Sequence, residues 1–469
     1  MAEIIGRKSE QEVLRGLLES DESQFVALFG RRRVGKTFLI REFFRDIFAF
    51  HVTGAPNVSI SEQLLIFSTA LSRYGLKGDR RPQNWFEAFG MLSELLESLA
   101  GPSKKVIFID EMPWMDSRRS RFVPALEHFW NSWAASRNDI ILIACGSATS
   151  WMMKKILRNT GGLYNRVTMR MRLEPFTLSE CEEYYTSKGM ELSRYQILES
   201  YMILGGVPYY LSLMKPRLTL AQNIDNLFFA PSALLEGEYP ILFEALFSNA
   251  GAHRKVIEAL SSLKKGMTRS DLLAATKLSD GGSITRALED LELCGFIRKY
   301  KGFSRKSRDV MYQLIDPFLL YHHTFITQNN DARFWEKYSI SPGHAGWSGY
   351  AFELVCLLHV DKIKTCLGAD YVVANVASWH SSSTKPGAQI DLVIDRSDGI
   401  VDLCEMKYLN DDYHMEATDS EGLRRKKTAF ARETKTRKKL RLVLVTTYGL
   451  IRNKHSDQVQ AVVTMDALF

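Results

Sequence analysis

The sequence predicts an α/β protein of several domains, and three observations predict it. At 469 residues the chain exceeds what one hydrophobic core organises, so two to four domains are expected. Between Phe25 and about Thr168, short β-branched or aromatic runs alternate with helical patterns, as in a parallel sheet with crossover helices. A second, smaller alternation of helix and strand returns in the last segment. Hydrophobic residues make up 45% and charged residues 25%, which supplies well-filled cores and argues against global disorder.

The strand-like runs of the first region are Phe25 to Phe29, Ala49 to Val52, Val106 to Ile109 and Ile140 to Cys145. Directly after the first comes Gly30-Arg-Arg-Arg33-Val34-Gly35-Lys36-Thr37, which fits GxxxxGK[ST] between a strand and a helical run. That context assigns a phosphate-binding loop. Backbone N–H groups of Gly30, Arg33, Val34, Gly35 and the helix start through Phe38 cradle phosphates, Lys36 reaches the β and γ oxygens, and the Thr37 hydroxyl coordinates Mg²⁺. Val106-Ile-Phe-Ile-Asp110-Glu111 is an apolar strand ending in two acids. Phosphoryl transfer needs such a pair: Asp110 to hold the metal and Glu111 to orient or deprotonate the attacking water. The reading is an ATP site with magnesium.

Three further elements resemble the plan of AAA+ ATPases. Ile4-Ile5-Gly6-Arg7 resembles their short segment that packs on adenine, which implies nucleotide contacts for Ile5, Gly6 and Arg7. Ser147, after the strand Ile140 to Cys145, stands where they place a polar residue sensing the γ-phosphate. Arg166, in Gly161-Gly-Leu-Tyr-Asn-Arg166, falls where an arginine finger is expected, acting in cis or, in a homo-oligomer, across a subunit boundary. Phe29 to Thr37, Leu173-Glu-Pro-Phe176 and Leu204-Gly-Gly-Val-Pro208 look like the prokaryotic and archaeal-type ATPase family with a C-terminal extension. That family is grouped near the signal-transducing ATPases with numerous domains (STAND), which implies that hydrolysis can serve as a slow switch instead of a motor.

Leu178 to about Asn249 reads as helices only, fitting a helical lid. Helical patterns at Lys255 to Leu263, Arg269 to Thr276 and Ser283 to Cys294 precede strand-like Gly295 to Tyr300 and Val310 to Ile315, the order of a winged helix-turn-helix. Its recognition helix would face Leu288 and Leu291 inward and Thr285, Arg286 and Glu289 outward. The wing, Tyr300 to Arg308, carries Lys301, Arg305, Lys306 and Arg308, suited to phosphate contact. Glu289, Asp290 and Glu292 would repel a DNA backbone, so DNA contact and an interdomain role both stay open.

The last segment presents Glu353 in Gly349-Tyr-Ala-Phe-Glu353, then Gln389-Ile-Asp391, then Leu403-Cys-Glu405-Met-Lys407, with a hairpin turn at Asp395 to Gly399. In an extended strand Glu405 and Lys407 share a face, and the hairpin brings Asp391 alongside. Two acids and a lysine so placed are the chemistry of a metal-dependent nuclease. The pattern looks like the PD-(D/E)xK fold of restriction-type nucleases, with Ile390 in place of the proline. The resemblance implies Mg²⁺ or Mn²⁺ on Asp391, Glu405 and Glu353, with Lys407 positioning or polarising water. Downstream, Arg424-Arg-Lys-Lys427 and Lys435-Thr-Arg-Lys-Lys-Leu-Arg441 concentrate the positive charge of a chain whose formal net charge is +7, as binding to DNA phosphates requires.

The expected fold is therefore an α/β P-loop AAA+ ATPase core (1–176), a helical lid (177–250), a winged helix-turn-helix (251–317) and a C-terminal α/β restriction-endonuclease-like domain (318–469). The expected function is ATP hydrolysis coupled to DNA binding and metal-dependent DNA cleavage. Two alternatives remain: a STAND-like ATP switch whose C-terminal domain is catalytically inactive, and a DNA-binding regulator. The six cysteines show no CxxC or Cys/His pairing at zinc-ligand spacing and read as buried free thiols in a reducing compartment. The N-terminus lacks the apolar core of a signal peptide and no run approaches a membrane span, so the expected location is the cytoplasm, away from membranes.

Overall fold

In a computed structural model of the chain, the described residues are 3–78, 80–99, 101, 103–158, 161–247, 249–263, 266–303, 310–329, 331–381 and 387–469. Contacts divide the chain into two units, Met1–Pro175 with Glu244–Ser248, and Phe176–Phe243 with Asn249–Phe469.

The uninterrupted apolar runs of the first unit become central strands because both faces of their sheet are covered. β1 (Gln24–Phe29), β2 (Phe48–Thr53), β3 (Lys105–Asp110), β4 (Ile140–Gly146) and β5 (Met169–Arg172) form a parallel sheet in the order β2-β3-β4-β1-β5. Side chains alternate between two cores, as period-two geometry demands. Phe25, Ala27, Ile107, Ile109, Leu142 and Ala144 join Phe67, Trp85 and Phe122 on one face. Val26, Leu28, Phe108, Ile143 and Cys145 join Leu14, Leu39 and Phe44 on the other. β5 was not expected as a strand: Met-Arg-Met-Arg is an edge strand with a single buried residue, Met171.

The second unit begins with helices whose starts are written in the sequence. Thr177, Ser193 and Thr219 each accept from the backbone N–H three residues on, and Glu180, Gln196 and Gln222 bond back, closing capping boxes ahead of Leu178–Ser187, Arg194–Leu204 and Leu220–Phe228. Helices Gly251–Ser261, Arg269–Thr276 and Gly282–Leu293 come with an antiparallel sheet of β6 (Met267–Thr268), which precedes the second helix, and β7 (Ile297–Lys301) and β8 (Val310–Leu314), which follow the third, ordered β6-β8-β7. Leu288 and Leu291 are buried, and Thr285, Arg286 and Glu289 exposed. Asp290, expected to face a DNA backbone, is instead buried with its Oδ2 3.3 Å from His253 Nε2. Arg305, Lys306 and Arg308 lie outside the described residues.

The C-terminal strands are β9 (Ala374–His380), β10 (Gln389–Arg396), β11 (Ile400–Lys407), β12 (Tyr413–His414), β13 (Lys439–Thr446), β14 (Leu450–Ile451) and β15 (Ala461–Thr464). The main sheet runs β15-β13-β11-β10-β9. Its β9, β10 and β11 form an antiparallel meander, and β13 and β15 lie parallel to β11. β12 and β14 pair separately. The helix Ala417–Thr434 buries Leu423, Ala429 and Phe430 in a core with Trp379, Val393, Leu403 and Leu444.

Three expectations are corrected here. The helix expected from Gly349 to Ile363 is two helices, Pro342–Leu358 and Val360–Cys366, meeting at His359, whose Nδ1 sits 2.9 Å from the Val355 carbonyl oxygen. The strand placed near Tyr371 starts at Ala374, and Tyr371 is fully exposed. Cys366 is exposed, and the other five cysteines are buried.

Candidate functional site

Strand order sets the nucleotide-site geometry, because β4 lies between β1 and β3 and all three end at the same edge. That edge is where open α/β sheets bind ligands. The loop after β1 turns at Gly30 (φ 141°), where an added Cβ would stand 2.3 Å from the Leu173 carbonyl oxygen. It enters the helix Lys36–Phe43 through Gly35 (φ 92°), with Arg33 also left-handed at φ 71°. Lys36 is buried, and its Nζ donates to the carbonyls of Gly30 (2.9 Å) and Arg31 (2.8 Å). The Thr37 hydroxyl donates to Asp110 Oδ2 at 2.7 Å.

At the end of β3, Asp110 is 2% exposed, and its Oδ1 accepts from the Glu111 N–H at 3.0 Å. Glu111 adopts φ 49°, a turn a non-glycine residue takes only when its surroundings hold it there. The Ser147 hydroxyl donates to Glu111 Oε2 at 2.9 Å and the Ser147 N–H to the same oxygen at 3.4 Å. Cys145, fully buried beside Asp110, has its thiol pushed well up by burial and then by that carboxylate.

The N-terminal segment also reaches the loop. Gly6 and Arg7 are left-handed at φ 64° and 55°, Gln11 Nε2 donates to the Gly6 carbonyl at 2.9 Å, and Arg7 Nη2 donates to the Val34 carbonyl at 3.2 Å. Ile5 is half-buried, and Phe38, on the helix after the loop, is 45% exposed. Arg166 is exposed, and among the described residues no hydrogen bond or ion pair joins it to Glu111 or Ser147.

Oxygen donors paired at 2.7 Å beside a buried ammonium suit a magnesium–phosphate group, so the residues fit MgATP. Thr37 and Asp110 would hold the metal and Lys36 the phosphates. Gln63 was not singled out from sequence: its Nε2 donates to the carbonyls of Ala55 (2.6 Å) and Trp114 (3.0 Å), tying the loop after β2 to the turn after β3. A glutamine on the apolar face of helix Ile60–Arg73 was the available signal.

The C-terminal candidates assemble differently. Lys407 Nζ is 3.6 Å from Glu405 Oε1, and Lys426 Nζ, from helix Ala417–Thr434, donates to Glu405 Oε2 at 2.6 Å. They line a cavity of about 130 Å³ with Tyr413 and Asp419. The β9–β10 register shifts between Ile390 and Val393, so a bulge interrupts the alternation around Asp391. The Asp391 carboxylate accepts from the Gln389 amide and is among the charges acting on Arg298 of β7. Glu353 acts on Tyr350, which burial pushes up to about 12 and which also neighbours Arg298. Glu353 and Asp391 thus share the surroundings of Arg298 and Tyr350, while Glu405 is held by two lysines. Among the described residues no group of three His, Cys, Asp or Glu side chains is placed to hold a metal ion, so these residues as arranged do not fit a divalent cation.

Comparison with known proteins matches residues 22–182 to the family described as "AAA domain". A Walker-type ATPase of Pyrococcus abyssi superposes with a TM-score of 0.50 at 17% identity, covering 69% of this chain and 96% of that one. The region around the loop is accordingly an α/β P-loop domain of the AAA+ ATPase type. An uncharacterized protein of Methanocaldococcus jannaschii is 22% identical over 397 residues, 83% of each chain. The ORC2 protein of Aeropyrum pernix, solved in ADPNP–ADP complexes, is 14% identical and gives a TM-score of 0.41 over 70% of this chain and 95% of that one. No helix among the described residues is long and apolar enough to cross a membrane.

Proposed function

We propose that the protein binds and hydrolyses MgATP and couples that cycle to DNA binding by its second unit. The observation that carries the ATP half is the 2.7 Å bond between Thr37 and Asp110 beside buried Lys36, with Glu111 held by Ser147 across the strand ends. Gly30, Arg33, Val34, Gly35 and Phe38 would surround the phosphates, and Ile5, Gly6 and Arg7 would flank the base. Glu111 would orient or deprotonate the attacking water. Exposed Arg166 would serve as a finger toward a neighbouring subunit, since among the described residues no hydrogen bond or ion pair joins it to Glu111 or Ser147.

On this reading the helix pattern Gly251–Leu293 with β6, β7 and β8 is a winged helix, Leu178 to Asn249 the helical lid, and the domains divide at 176, 250 and 317. The DNA half is supported by the cations on the helix Ala417–Thr434. Metal-dependent cleavage with Mg²⁺ or Mn²⁺ on Asp391, Glu405 and Glu353 is the second reading, favoured by the approach of Lys407 to Glu405 at 3.6 Å. It requires Lys426 to leave Glu405 and Asp391 and Glu353 to gather around the carboxylate it vacates, because the three acids as arranged form no such group among the described residues. Without that change the domain binds DNA uncut, and ATP turnover acts as a switch.

The test is ATP turnover by wild type and Lys36→Ala, with and without duplex DNA, alongside incubation of supercoiled and branched DNA with Mg²⁺ or Mn²⁺. Lys36→Ala should lower turnover by about 100-fold or more, the scale of losing one charge-stabilising donor. Wild-type turnover indifferent to every DNA tried would sink the coupling. Cutting that vanishes in both Asp391→Ala and Glu405→Ala would establish the nuclease, and its absence alongside DNA-responsive turnover would leave the switch.

A further inference from the structure

The basic run between Arg424 and Arg441 divides by what its cations already hold. Lys426 donates to Glu405, Lys438 to Asp395 Oδ1 and the Arg396 carbonyl at 2.6 Å each, and Arg441 Nη2 to the buried Asp402 at 3.0 Å. These cations neutralise acids of the fold and offer little to a partner. Arg424 and Arg425 are different: both are exposed, and among the described residues neither forms an ion pair. With Ser420, Glu421, Thr428 and Arg432 they line an open cavity of about 540 Å³ on one side of the helix Ala417–Thr434.

We propose that this cavity is a binding site for the phosphodiester backbone of duplex nucleic acid. It rests on the DNA reading above and locates the contact. Residues 424, 428 and 432 recur every fourth position, so guanidinium, hydroxyl and guanidinium line one face over about 12 Å, at 1.5 Å rise per residue. Arginine forks take phosphate oxygens bidentately, and serine and threonine hydroxyls are common phosphate donors. A single strand without sequence preference is held by bases stacked on aromatic side chains. The lining contains no Phe, Tyr or Trp, and its single ring, His455, cannot stack a run of successive bases. The chemistry therefore suits a backbone whose bases stay paired and out of reach. Glu421 is the one acid of the lining and opposes the ligand.

The experiment measures binding of the full-length protein to a fluorescent duplex of about 25 base pairs, a length that covers the roughly 1,000–2,500 Å² footprint of a specific complex. Wild type, Arg424→Gln/Arg425→Gln and Glu421→Gln are compared across a salt series. Each lost phosphate contact flattens the slope of log K against log salt by about 1, so the double variant should lose about 2 and bind about tenfold more weakly at low salt. Glu421→Gln should bind more tightly, an opposite sign from the same cavity that misfolding cannot produce. A double variant with the wild-type slope would overturn the site while leaving the DNA reading standing. Wild type that binds no duplex would overturn both, and tighter binding of the matching single strand would overturn the duplex assignment.

Discussion

The contact on which the proposed chemistry depends most is the one between Ser147 and Glu111. Ser147 was expected to sense the γ-phosphate, and its hydroxyl instead restrains the carboxylate proposed to handle water, at 2.9 Å. Both readings survive if the hydroxyl exchanges partners when ATP enters, and one substitution separates them. Ser147→Ala leaves Lys36, Thr37 and Asp110 intact, so ATP affinity should change less than about twofold. The positioning of Glu111 should suffer, lowering turnover by about 10- to 100-fold, the lower range for a disturbed general base. A variant that loses affinity and turnover in proportion would show that Ser147 acts on the bound phosphate alone. In the C-terminal domain, Lys426 and Glu405 are part-buried partners at 2.6 Å. Lys426→Met should lower stability to urea by about 1 kcal/mol, discounted for their partial exposure. A variant as stable as wild type would mean that Lys407 alone satisfies Glu405.

Elements show why some of these contacts were legible in the sequence and others were not. The loop after β1 works because Gly30 takes a backbone angle and a proximity that no other residue tolerates. Gly30→Ala would place a carbon 2.3 Å from the Leu173 carbonyl oxygen at φ 141°, so either β5 or the loop must move. It should cost about 3 kcal/mol of unfolding free energy, within the range for strain at a special backbone angle, and abolish nucleotide binding. A variant that binds ATP normally would show that the loop has slack. β1, β3 and β4 were readable because strands buried on both faces are apolar throughout and stand out against amphipathic helices. β5, β12 and β14 were not, since edge strands of two to four residues carry too few buried positions to set a period. The loop and the two acids at the end of β3 were legible because phosphate chemistry fixes residue types at fixed spacing. The arrangement around Asp391 was not: one inserted residue between Ile390 and Val393 breaks the alternation from which a shared face with Glu405 was argued. Local sequence carries no mark of that bulge. The basic run was visible as charge, but which cations are spent on Glu405, Asp395 and Asp402 depends on strands distant in sequence.

The whole chain carries two units with separate cores, and each has a linkage of its own. Nucleotide binding belongs to the first, where a ligand at 100 times its Kd adds about 2.7 kcal/mol to the folded state. The second holds a largely buried histidine pair that makes it sensitive to acid. His322 is 7% exposed, stacked on Tyr239 at 4.6 Å and beside His323, and its Nδ1 meets no hydrogen-bond partner among the described residues. Burial, aided by His323, lowers its pKa from 6.5 to about 4, and burial lowers that of His323 as well. A histidine held neutral when folded takes up its proton more readily when unfolded. Its contribution is therefore fully present above pH 6.5, falls as the pH drops below that value, and is lost once the pH passes about 4. For His322 the loss amounts to about 3 kcal/mol. Thermal unfolding should accordingly show one transition that MgATP raises and that is absent from the response of Lys36→Ala. A second transition should ignore nucleotide and fall between pH 6.5 and 4, less steeply in His322→Phe, which keeps the stacked ring and removes the titrating group. A single transition that moves with both nucleotide and acid would mean that the two cores unfold as one, so that nucleotide bound to the first also holds the second folded.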